Sequence, residues 1–209
     1  QELLNIVIVG GGATGIEVAG ILSEMKKFVL PNDYPDMPSS LMHIYLIEAG
    51  PRLLAGMSEE SSAHAEQFLR EMGVNILLNK RVVDYRDHKV VLEDGTEIAT
   101  RTFIWVSGVT GVTIGNLDAS LIGRGGRIKV DSFNRVEGMN NVFAIGDQCI
   151  QLADGNYPNG HPQLAQVAIQ QGELLAKNLV RMEKGREMKP FHYRNLGSMA
   201  TVGRNRAVA

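Results

Sequence analysis

The sequence predicts an α/β fold built on a parallel sheet with helices. Three observations lead to this class. An apolar run at residues 6–9 is followed by a glycine cluster at 10–15, a helical pattern continues over 16–25, and a second apolar run occupies 43–47. A short, uninterrupted β-branched run is typical of a strand buried on both faces of a parallel sheet. The later chain continues the alternation of strand and helix patterns that this class requires.

The first predicted element is a strand, a glycine turn and a helix, NIVIVGGGATGIEVAG. In its G-x-G-x-x-G pattern the first glycine permits the tight turn, the second lets a pyrophosphate approach the backbone, and the third lets the helix pack closely on the strand. An ordinary tight turn is the alternative. The predicted helix has an apolar stripe at helical spacing, Val18, Ile21, Leu22 and Met25. The predicted cofactor-binding residues of the loop are Gly10, Gly11, Gly12, Ala13, Thr14 and Gly15.

The second predicted strand, His43 to Ile47, ends at Glu48, where a dinucleotide site needs a carboxylate for the ribose hydroxyls. Such an acid repels a 2′-phosphate and so favours NAD over NADP, although Arg52 is nearby and a solvated acid at a strand end is the alternative. The segment FVLPNDYPDMPSS, residues 28–40, contains three prolines. We therefore expect the first helix to end there and a surface insertion to precede the second strand.

A second helix and further strands complete the first predicted domain, residues 1–112. Ser58 is expected to cap the helix and Gly73 to end it. Two further strands of the main sheet are predicted at residues 74–78 and 103–106. Between them an antiparallel β-meander is predicted, with strands at 82–85, 89–92 and 97–99. The last strand leads to Gly108, which we expect to lie beside the dinucleotide, because open α/β sheets bind ligands at the carboxyl ends of their strands.

The second predicted domain, residues 113–209, has a short strand at 128–130 and an apolar run at 142–145 that we expect to be a buried strand. That run leads into Gly146 and Asp147, where a glycine permits close backbone approach and a carboxylate accepts a hydrogen bond from a polyol. An ordinary turn is the alternative reading of these two residues.

A long helix is predicted from Pro162 to about Glu183, with Gly185 as its stop. Its predicted core stripe is Leu164, Val167, Ala168, Leu175, Leu179 and Met182, which Gln171 interrupts. A polar face runs along the helix at spacing i, i+4, i+7 and i+11: Gln166, Gln170, Glu173 and Lys177. The simplest interpretation of that face is a solvated side with an i, i+4 ion pair.

The composition describes an ordinary globular protein. The chain has 209 residues, 44% hydrophobic content and a formal charge of −2, enough for one large or two modest domains, and no basic patch indicates nucleic acid. Cys149 is the only cysteine, so neither a disulfide framework nor a C-x-x-C pair is available and a cytoplasmic setting is the default. The five histidines show no metal-ligand spacing, and no apolar stretch reaches the ~18 residues of a membrane span.

Three stretches in this order, IVGGGATGIEVAG, VFAIGDQC and HPQLAQVAIQQG, resemble the two-dinucleotide flavoprotein reductases of the pyridine nucleotide-disulfide oxidoreductase superfamily. The third resembles the type II NADH:quinone oxidoreductases. The resemblance implies a Rossmann-like NAD-binding domain over residues 1–112, part of an FAD-binding domain over residues 113–209, and FAD and NAD as cofactors. It also implies residue roles: a ribityl contact at Gly146 and Asp147, a flavin and quinone pocket at Ala165, Gln166 and Gln170, and a nicotinamide contact at Glu17.

The chemistry of the side chains bears on two of these implied roles. Neutral amides such as those of Gln166 and Gln170 could hydrogen-bond quinone carbonyls without adding charge to an apolar pocket. Glu17, predicted in the first turn of its helix, could equally be a surface acid that complements the helix dipole.

The resemblance also implies an internal fragment, since such an enzyme needs two glycine cradles and GRGGR, residues 123–127, has neither the spacing nor a preceding buried strand. We expect a parent NADH dehydrogenase that transfers a hydride from NADH to FAD and electrons to a membrane quinone. It would act at the cytoplasmic face of a membrane, with a homodimer as a possible assembly, and this chain alone would be inactive. A related reductase with a soluble or disulfide acceptor and a non-catalytic NAD-binding module remain alternatives.

Overall fold

The computed structural model describes residues 2–112 and 114–209. Gln1 and Thr113, the first residues of the two predicted domains, lie outside the described residues. The chain forms two compact units, one of residues 1–108 with 197–209 and the other of residues 109–196. The predicted division after residue 112 differs from these units in two ways. The boundary lies after Gly108, and residues 197–209 pack with the first unit and not with the second.

The first unit is built on a four-stranded sheet whose strands are β1 Asn5–Val9, β2 His43–Ile47, β3 Val74–Leu77 and β7 Thr102–Trp105. Their order in the sheet is β3-β2-β1-β7, and every neighbouring pair is parallel. All five residues of the central strand β1 are buried. The predicted α/β class is thereby confirmed.

Alternate residues of β1 face two different layers. Ile6 and Ile8 belong to the core beneath the helices, whereas Val7 and Val9 pack against an antiparallel meander on the opposite face of the sheet. The meander consists of β4 Val82–Arg86, β5 Lys89–Leu92 and β6 Glu97–Ala99. The sheet is therefore covered on both sides, as the continuous apolar character of its central strand requires.

Helix α1, Ala13–Glu24, packs on the sheet through small residues, and the predicted apolar stripe is wrong in part. The buried residues are Gly15, Ile16, Ala19, Gly20 and Ser23. Ile21 of the predicted stripe is 56% exposed, while Val18 and Leu22 are only partly buried. The helix turns its small residues inward because only they allow its axis to approach the strands closely.

The chain after α1 stays helical for longer than predicted. A π-helical segment, Met25–Val29, leads into a short helix α2, Leu30–Asp33. Pro31 stands at the start of α2, where a missing backbone N–H is tolerated, so the first proline does not end the helix. The predicted surface insertion then follows as turns and a 3₁₀ turn, Ser39–Leu41, before β2.

Helix α3, Glu59–Glu71, has the predicted ends. The side chain of Ser58 accepts a hydrogen bond from the backbone N–H of Ser61 at 3.1 Å, and Gly73 has φ +84° just beyond the helix. Both features are the expected N-terminal and C-terminal signals.

The last residues of the chain form a hairpin on the helical side of the first unit. Its strands are β10 Ala200–Thr201 and β11 Ala207–Val208. Ala200, Val202 and Val208 are buried in the same core as Ile8 and Ile16. A Cβ on Gly20 would stand 2.5 Å from the backbone nitrogen of Gly203, so the hairpin touches α1 backbone to backbone. This burial is the reason that residues 197–209 join the first unit.

The second unit contains a parallel strand pair, β8 Ile128–Val130 and β9 Cys149–Gln151, and one long helix, α4 Ala165–Glu183. Short 3₁₀ turns occur at Ala119–Leu121, Arg124–Gly126 and Gly146–Gln148. The predicted buried strand at 142–145 is wrong, because this run makes only an isolated bridge from Phe143 to Arg135 and Val142 is 43% exposed. An apolar run becomes a strand only where a neighbour pairs with its backbone.

Helix α4 begins three residues later than predicted and ends as expected before Gly185, which has φ +63°. Its predicted core stripe is wrong in part, since Leu164, Leu179 and Met182 are exposed while Val167 is buried. Two polar residues, Gln171 and Asn178, are instead almost fully buried. Both are buried because their side chains hydrogen-bond backbone groups of other segments, at Gly146 and at Lys189.

Ser58→Ala should lower the free energy of unfolding by about 1 kcal/mol, because the first turn of α3 loses its side-chain acceptor. Urea unfolding followed by circular dichroism measures this change. Ser40→Ala is the matched control, since Ser40 is exposed and lies in the short 3₁₀ turn Ser39–Leu41, outside the α-helices. Equal stabilities of the two variants would contradict a capping role for Ser58.

Candidate functional site

The glycine loop after β1 is closely packed at Gly10, Gly11 and Gly15 and open at Gly12. A Cβ on Gly10 would stand 3.0 Å from the backbone nitrogen of Ser107, one on Gly11 would stand 2.7 Å from Leu53 Cδ2, and one on Gly15 would stand 1.8 Å from Gly10 O. Nothing lies within 4 Å of a Cβ on Gly12. Neighbouring residues therefore fix the conformation of the loop, and the space beside Gly12, the second glycine of the G-x-G-x-x-G pattern, stays open.

Helix α1 begins beside that open space. Its N-cap residue is Gly12, no side chain caps it, and Gly12, Ala13 and Thr14 are exposed. The first N–H groups of a helix have no partner within the helix and carry a partial positive charge. Together the open glycine and the exposed first turn fit the pyrophosphate of a dinucleotide.

Glu48 stands at the end of β2 with both carboxylate oxygens fixed. Its Oε2 accepts a hydrogen bond from the backbone N–H of Gly11 at 2.6 Å, and its Oε1 accepts one from the N–H of Gly50 at 2.7 Å. Arg52 does not pair with it and donates to the carbonyl oxygens of Met57 and Ala55. The carboxylate is thus tied to the glycine loop, and each oxygen retains a lone pair for a ligand hydroxyl.

The loop after β7 completes this edge of the sheet. Gly108 has φ +78°, is exposed, and follows Ser107, which touches the glycine loop at Gly10. The glycine loop, Glu48 and Gly108 therefore follow the carboxyl ends of β1, β2 and β7. This is the edge at which open α/β sheets bind their ligands.

Glu17 does not lie in the first turn of α1, because it is the fifth residue of that helix. Its Oε1 accepts a weak hydrogen bond from the N–H of Thr201 at 3.4 Å. The predicted position in the first turn is wrong, and within the first unit Glu17 contacts the C-terminal hairpin.

In the second unit, Gly146 and Asp147 open a 3₁₀ turn. Gly146 has φ +65°, and its N–H donates to Gln171 Oε1 at 2.7 Å. The Asp147 side chain is exposed, and its carboxylate has no hydrogen bond to any residue of the described chain. It is therefore available to a ligand hydroxyl.

The thiol of Cys149 lies close to this turn, 3.7 Å from the same Gln171 oxygen. Burial raises the pKa of the thiol, so it is kept protonated.

Three amide side chains of α4 hold an extended segment of backbone, and we call Gln166, Gln170 and Asn178 the amide row. Gln170 donates to Arg194 O at 2.9 Å and accepts from Arg194 N at 3.0 Å. Gln166 accepts from the N–H of Leu196 at 3.0 Å. Asn178 makes two 2.8 Å bonds to the backbone of Lys189. The row therefore binds residues 189–196 as a neighbouring strand would.

The simplest interpretation of this helix face, a solvated side with an ion pair, does not describe it. Gln166 and Gln170 belong to the amide row, and the described residues include no ion pair between Glu173 and Lys177. Ala165, also predicted for this site, is the first residue of α4 and follows an N-cap without a side-chain bond.

The sequence did not reveal a buried polar group in the second unit. Arg127 is 9% exposed and donates to the carbonyl oxygens of Cys149 and His161 at 2.6 and 3.1 Å, and burial lowers the pKa of its guanidinium. His161 Nε2 lies 3.0 Å from Asp154 Oδ2, and this hydrogen bond lowers the pKa of Asp154. Arg127 and its acceptors lie 22 and 34 residues apart, a separation that carries no local sequence signal.

Across residues 2–112 and 114–209, no group of three or more His, Cys, Asp or Glu side chains is placed to hold a metal ion. Over the same residues, no helix has the length and apolar character needed to cross a membrane.

Comparison with known proteins identifies a family and its relatives. A family model described as pyridine nucleotide-disulphide oxidoreductase matches residues 1–172. The chain is 34% identical to the type II NADH:quinone oxidoreductase NdhA of Mycobacterium tuberculosis over 100% of its own length and 46% of the relative. It is 32% identical to the type II NADH:quinone oxidoreductase of Haemophilus influenzae over 97% of its own length and 45% of the relative. The chain thus spans a little under half of these relatives, and the resemblance noted from the sequence is confirmed.

A solved structure supports the fold. NDH2 of Plasmodium falciparum, in a complex with NADH, matches with a TM-score of 0.84 and 19% identity over 99% of this chain and 57% of that chain. At this identity the match shows a shared fold.

Gln170→Ala should release the backbone at Arg194, because the side chain supplies both of its hydrogen bonds there. Amide hydrogen exchange of residues 192–196 should become about tenfold faster, the effect of losing one to two net hydrogen bonds from the local opening free energy. Mass spectrometry of peptic fragments measures the exchange. Lys177→Ala, an exposed position on the same helix, is the control, and equal exchange in both variants would show that the row does not hold the segment.

Proposed function

Because the chain belongs to the pyridine nucleotide-disulphide oxidoreductase family, we propose that it forms the NAD(H)-binding part and some of the FAD-binding part of an NADH dehydrogenase. The whole protein would transfer a hydride from NADH to FAD and then pass two electrons to a quinone. The quinone follows the names of the relatives from Mycobacterium tuberculosis and Haemophilus influenzae.

This proposal rests on one observation, the Glu48 carboxylate, which is fixed by hydrogen bonds next to the unobstructed space at Gly12. Glu48 is held by the N–H groups of Gly11 and Gly50, and Gly12 stands open at the start of α1. A dinucleotide would place its pyrophosphate on the first turn of α1 and the two hydroxyls of its adenosine ribose on Glu48. A 2′-phosphate would meet the same carboxylate and be repelled, so NADH is the preferred form.

The second unit offers residues that fit FAD. The carboxylate of Asp147 is free to accept a hydrogen bond from a ribityl hydroxyl. At Gly146 a side chain would crowd α4, because a Cβ there would lie 3.2 Å from the Cβ of Ala168. Ala165 begins α4 at an end with no side-chain cap, which favours a partial negative charge nearby. When bound, the flavin supplies the acceptance of a hydride and the release of electrons, and the protein supplies binding and orientation.

We assign Gln166 and Gln170 to the acceptor pocket as residues that shape it. Their amide groups hold the backbone at residues 194–196, so they would fix one wall of the pocket and exchange these bonds when an acceptor carbonyl arrives. Peripheral attachment to the cytoplasmic face of a membrane and a homodimer remain predictions for the whole protein. So do a contact of Glu17 with the nicotinamide and the position of Gly108 beside the dinucleotide.

Glu48→Gln should weaken NADH binding by about 1 to 3 kcal/mol, the usual cost of losing a charge-assisted hydrogen bond. The preference for NADH over NADPH should narrow, because the repulsion of the 2′-phosphate is lost. Titration calorimetry of the 209-residue chain with both nucleotides measures the two affinities.

The control for this experiment is Glu93→Gln, an exposed carboxylate between the meander strands β5 and β6. It changes the net charge equally, so any general charge effect appears in both variants. An NADH to NADPH ratio that stays the same in Glu48→Gln would contradict the assignment of Glu48 to the ribose.

In the full-length protein, Gln170→Ala should lower the quinone-dependent kcat or raise the quinone KM, while reduction of the flavin by NADH stays nearly intact. Only the second half-reaction meets the acceptor pocket, so the two half-reactions separate its role from a role in folding. Stopped-flow measurement of each half-reaction gives the answer, and equal damage to both would indicate that Gln170 only supports the flavin or the fold.

A further inference from the structure

The first unit contains a cavity at the opposite end of α1 from the glycine loop. Its volume is about 230 Å³. It lies between the π-helical segment, the end of α3 and the tip of the C-terminal hairpin, and its apolar lining is Phe28, Met72 and Val202. None of these residues belongs to the dinucleotide site proposed above. We call it the α1 cavity.

A buried hydroxyl without a partner lines the α1 cavity. Ser23 is 3% exposed, and its Oγ makes no hydrogen bond with any described residue. Leaving a buried hydroxyl unpaired costs about 1 to 3 kcal/mol, so most such groups in native proteins have a partner. A ligand in the cavity would supply one.

The charges around the cavity are paired except for one. Glu71 accepts from Gln67 at 2.9 Å and from Arg206 at 2.6 Å, and Glu24 accepts from the N–H of Arg204 at 3.0 Å. Lys27 has no carboxylate within ion-pair distance among residues 2–112 and 114–209, and its Nζ lies 5.2 Å from the centroid of the Phe28 ring, a contact that leaves the ammonium without a counter-ion. The side chain that remains open to a ligand ion is therefore a cation.

The backbone that carries Lys27 and Phe28 is irregular. Both residues lie in the π-helical segment Met25–Val29, and π-helical turns occur frequently at functional sites. The hairpin approaches from the other side through Gly203, where a Cβ would stand 2.8 Å from Glu24 Oε1 and 3.1 Å from Met72 Cε. The cavity is thus lined by a π-helical segment on one side and by a closely packed hairpin on the other.

We infer that the α1 cavity binds a small monocarboxylic acid with an apolar body, whose carboxylate pairs with Lys27 and also accepts a hydrogen bond from the hydroxyl of Ser23. Phe28, Met72 and Val202 would cover the apolar body. A cationic ligand would compete with arginines for Glu24 and Glu71, whereas an anion meets an unpaired lysine. Small-molecule sites commonly combine an apolar lining with few polar groups in this way.

The test is a titration of the ¹⁵N-labelled chain with sodium benzoate and, separately, with its uncharged analogue benzamide, followed by NMR. Saturable shifts are expected for residues 23–28 and 202–206. Benzoate should bind at least about tenfold more tightly than benzamide, the factor that one charge-assisted hydrogen bond supplies. Inorganic phosphate at equal concentration should not displace benzoate, because it has no apolar body.

Three variants assign the contacts. Lys27→Gln should weaken benzoate about tenfold and remove its advantage over benzamide, whereas Lys184→Gln, an exposed lysine after α4, should leave both unchanged. Ser23→Ala should weaken benzoate several-fold while the melting temperature stays the same or rises, because it removes an unpaired buried hydroxyl.

Each of four results would overturn the inference. These are the absence of saturable shifts around the cavity, equal binding of benzoate and benzamide, displacement of benzoate by phosphate, and unchanged benzoate affinity in Lys27→Gln or Ser23→Ala. Melting curves of all variants establish that a weakened affinity does not come from loss of the fold.

Discussion

The close approach of helix α1 to its surroundings is the constraint on which the rest of the first unit depends. A side chain on Gly15 would collide with the carbonyl of Gly10 at 1.8 Å, and one on Gly20 would meet the hairpin backbone at 2.5 Å. With both positions bare, the helix lies against β1 at one end and against the hairpin at the other. Its N-terminus is thereby fixed at the sheet edge, where the open glycine and Glu48 lie.

The same approach explains which side of α1 is buried. A helix that packs through glycine and alanine leaves its larger apolar residues, such as Ile21, near the surface. The continuation through the π-helical segment then brings Lys27 and Phe28 to the mouth of a cavity. One helix therefore borders both proposed sites, the nucleotide site at its N-terminal end and the α1 cavity beyond its C-terminal end.

In the second unit, side-chain amides perform a task that backbone usually performs. Gln170 and Asn178 each bond both the N–H and the carbonyl of one residue in the segment 189–196. Gln171 similarly accepts the N–H of Gly146. Amides can do this because each carries a donor and an acceptor, as a peptide group does. Helix α4 buries polar residues for this reason and exposes leucines that its spacing would place inside.

Local sequence determined the class of the fold, the strands of the first unit, the glycine loop and the acid at the end of β2. These features depend on a few consecutive residues or on one fixed spacing, and the physical rules for them are local. The caps of α3 at Ser58 and Gly73 belong to the same group. The family resemblance added the link between the three motifs.

Tertiary structure alone decided which faces are buried, where residues 197–209 pack, and which partners the polar side chains find. Residues 142–145 lack a strand because the neighbouring segment pairs with them only around the single bridge between Arg135 and Phe143. Gln170 binds Arg194 because an extended segment lies beside it. The unpaired hydroxyl of Ser23 and the lack of a counter-ion at Lys27 likewise depend on how residues from three separate elements surround the α1 cavity. Such contacts join positions far apart in the chain, and local pattern carries no information about distances between them.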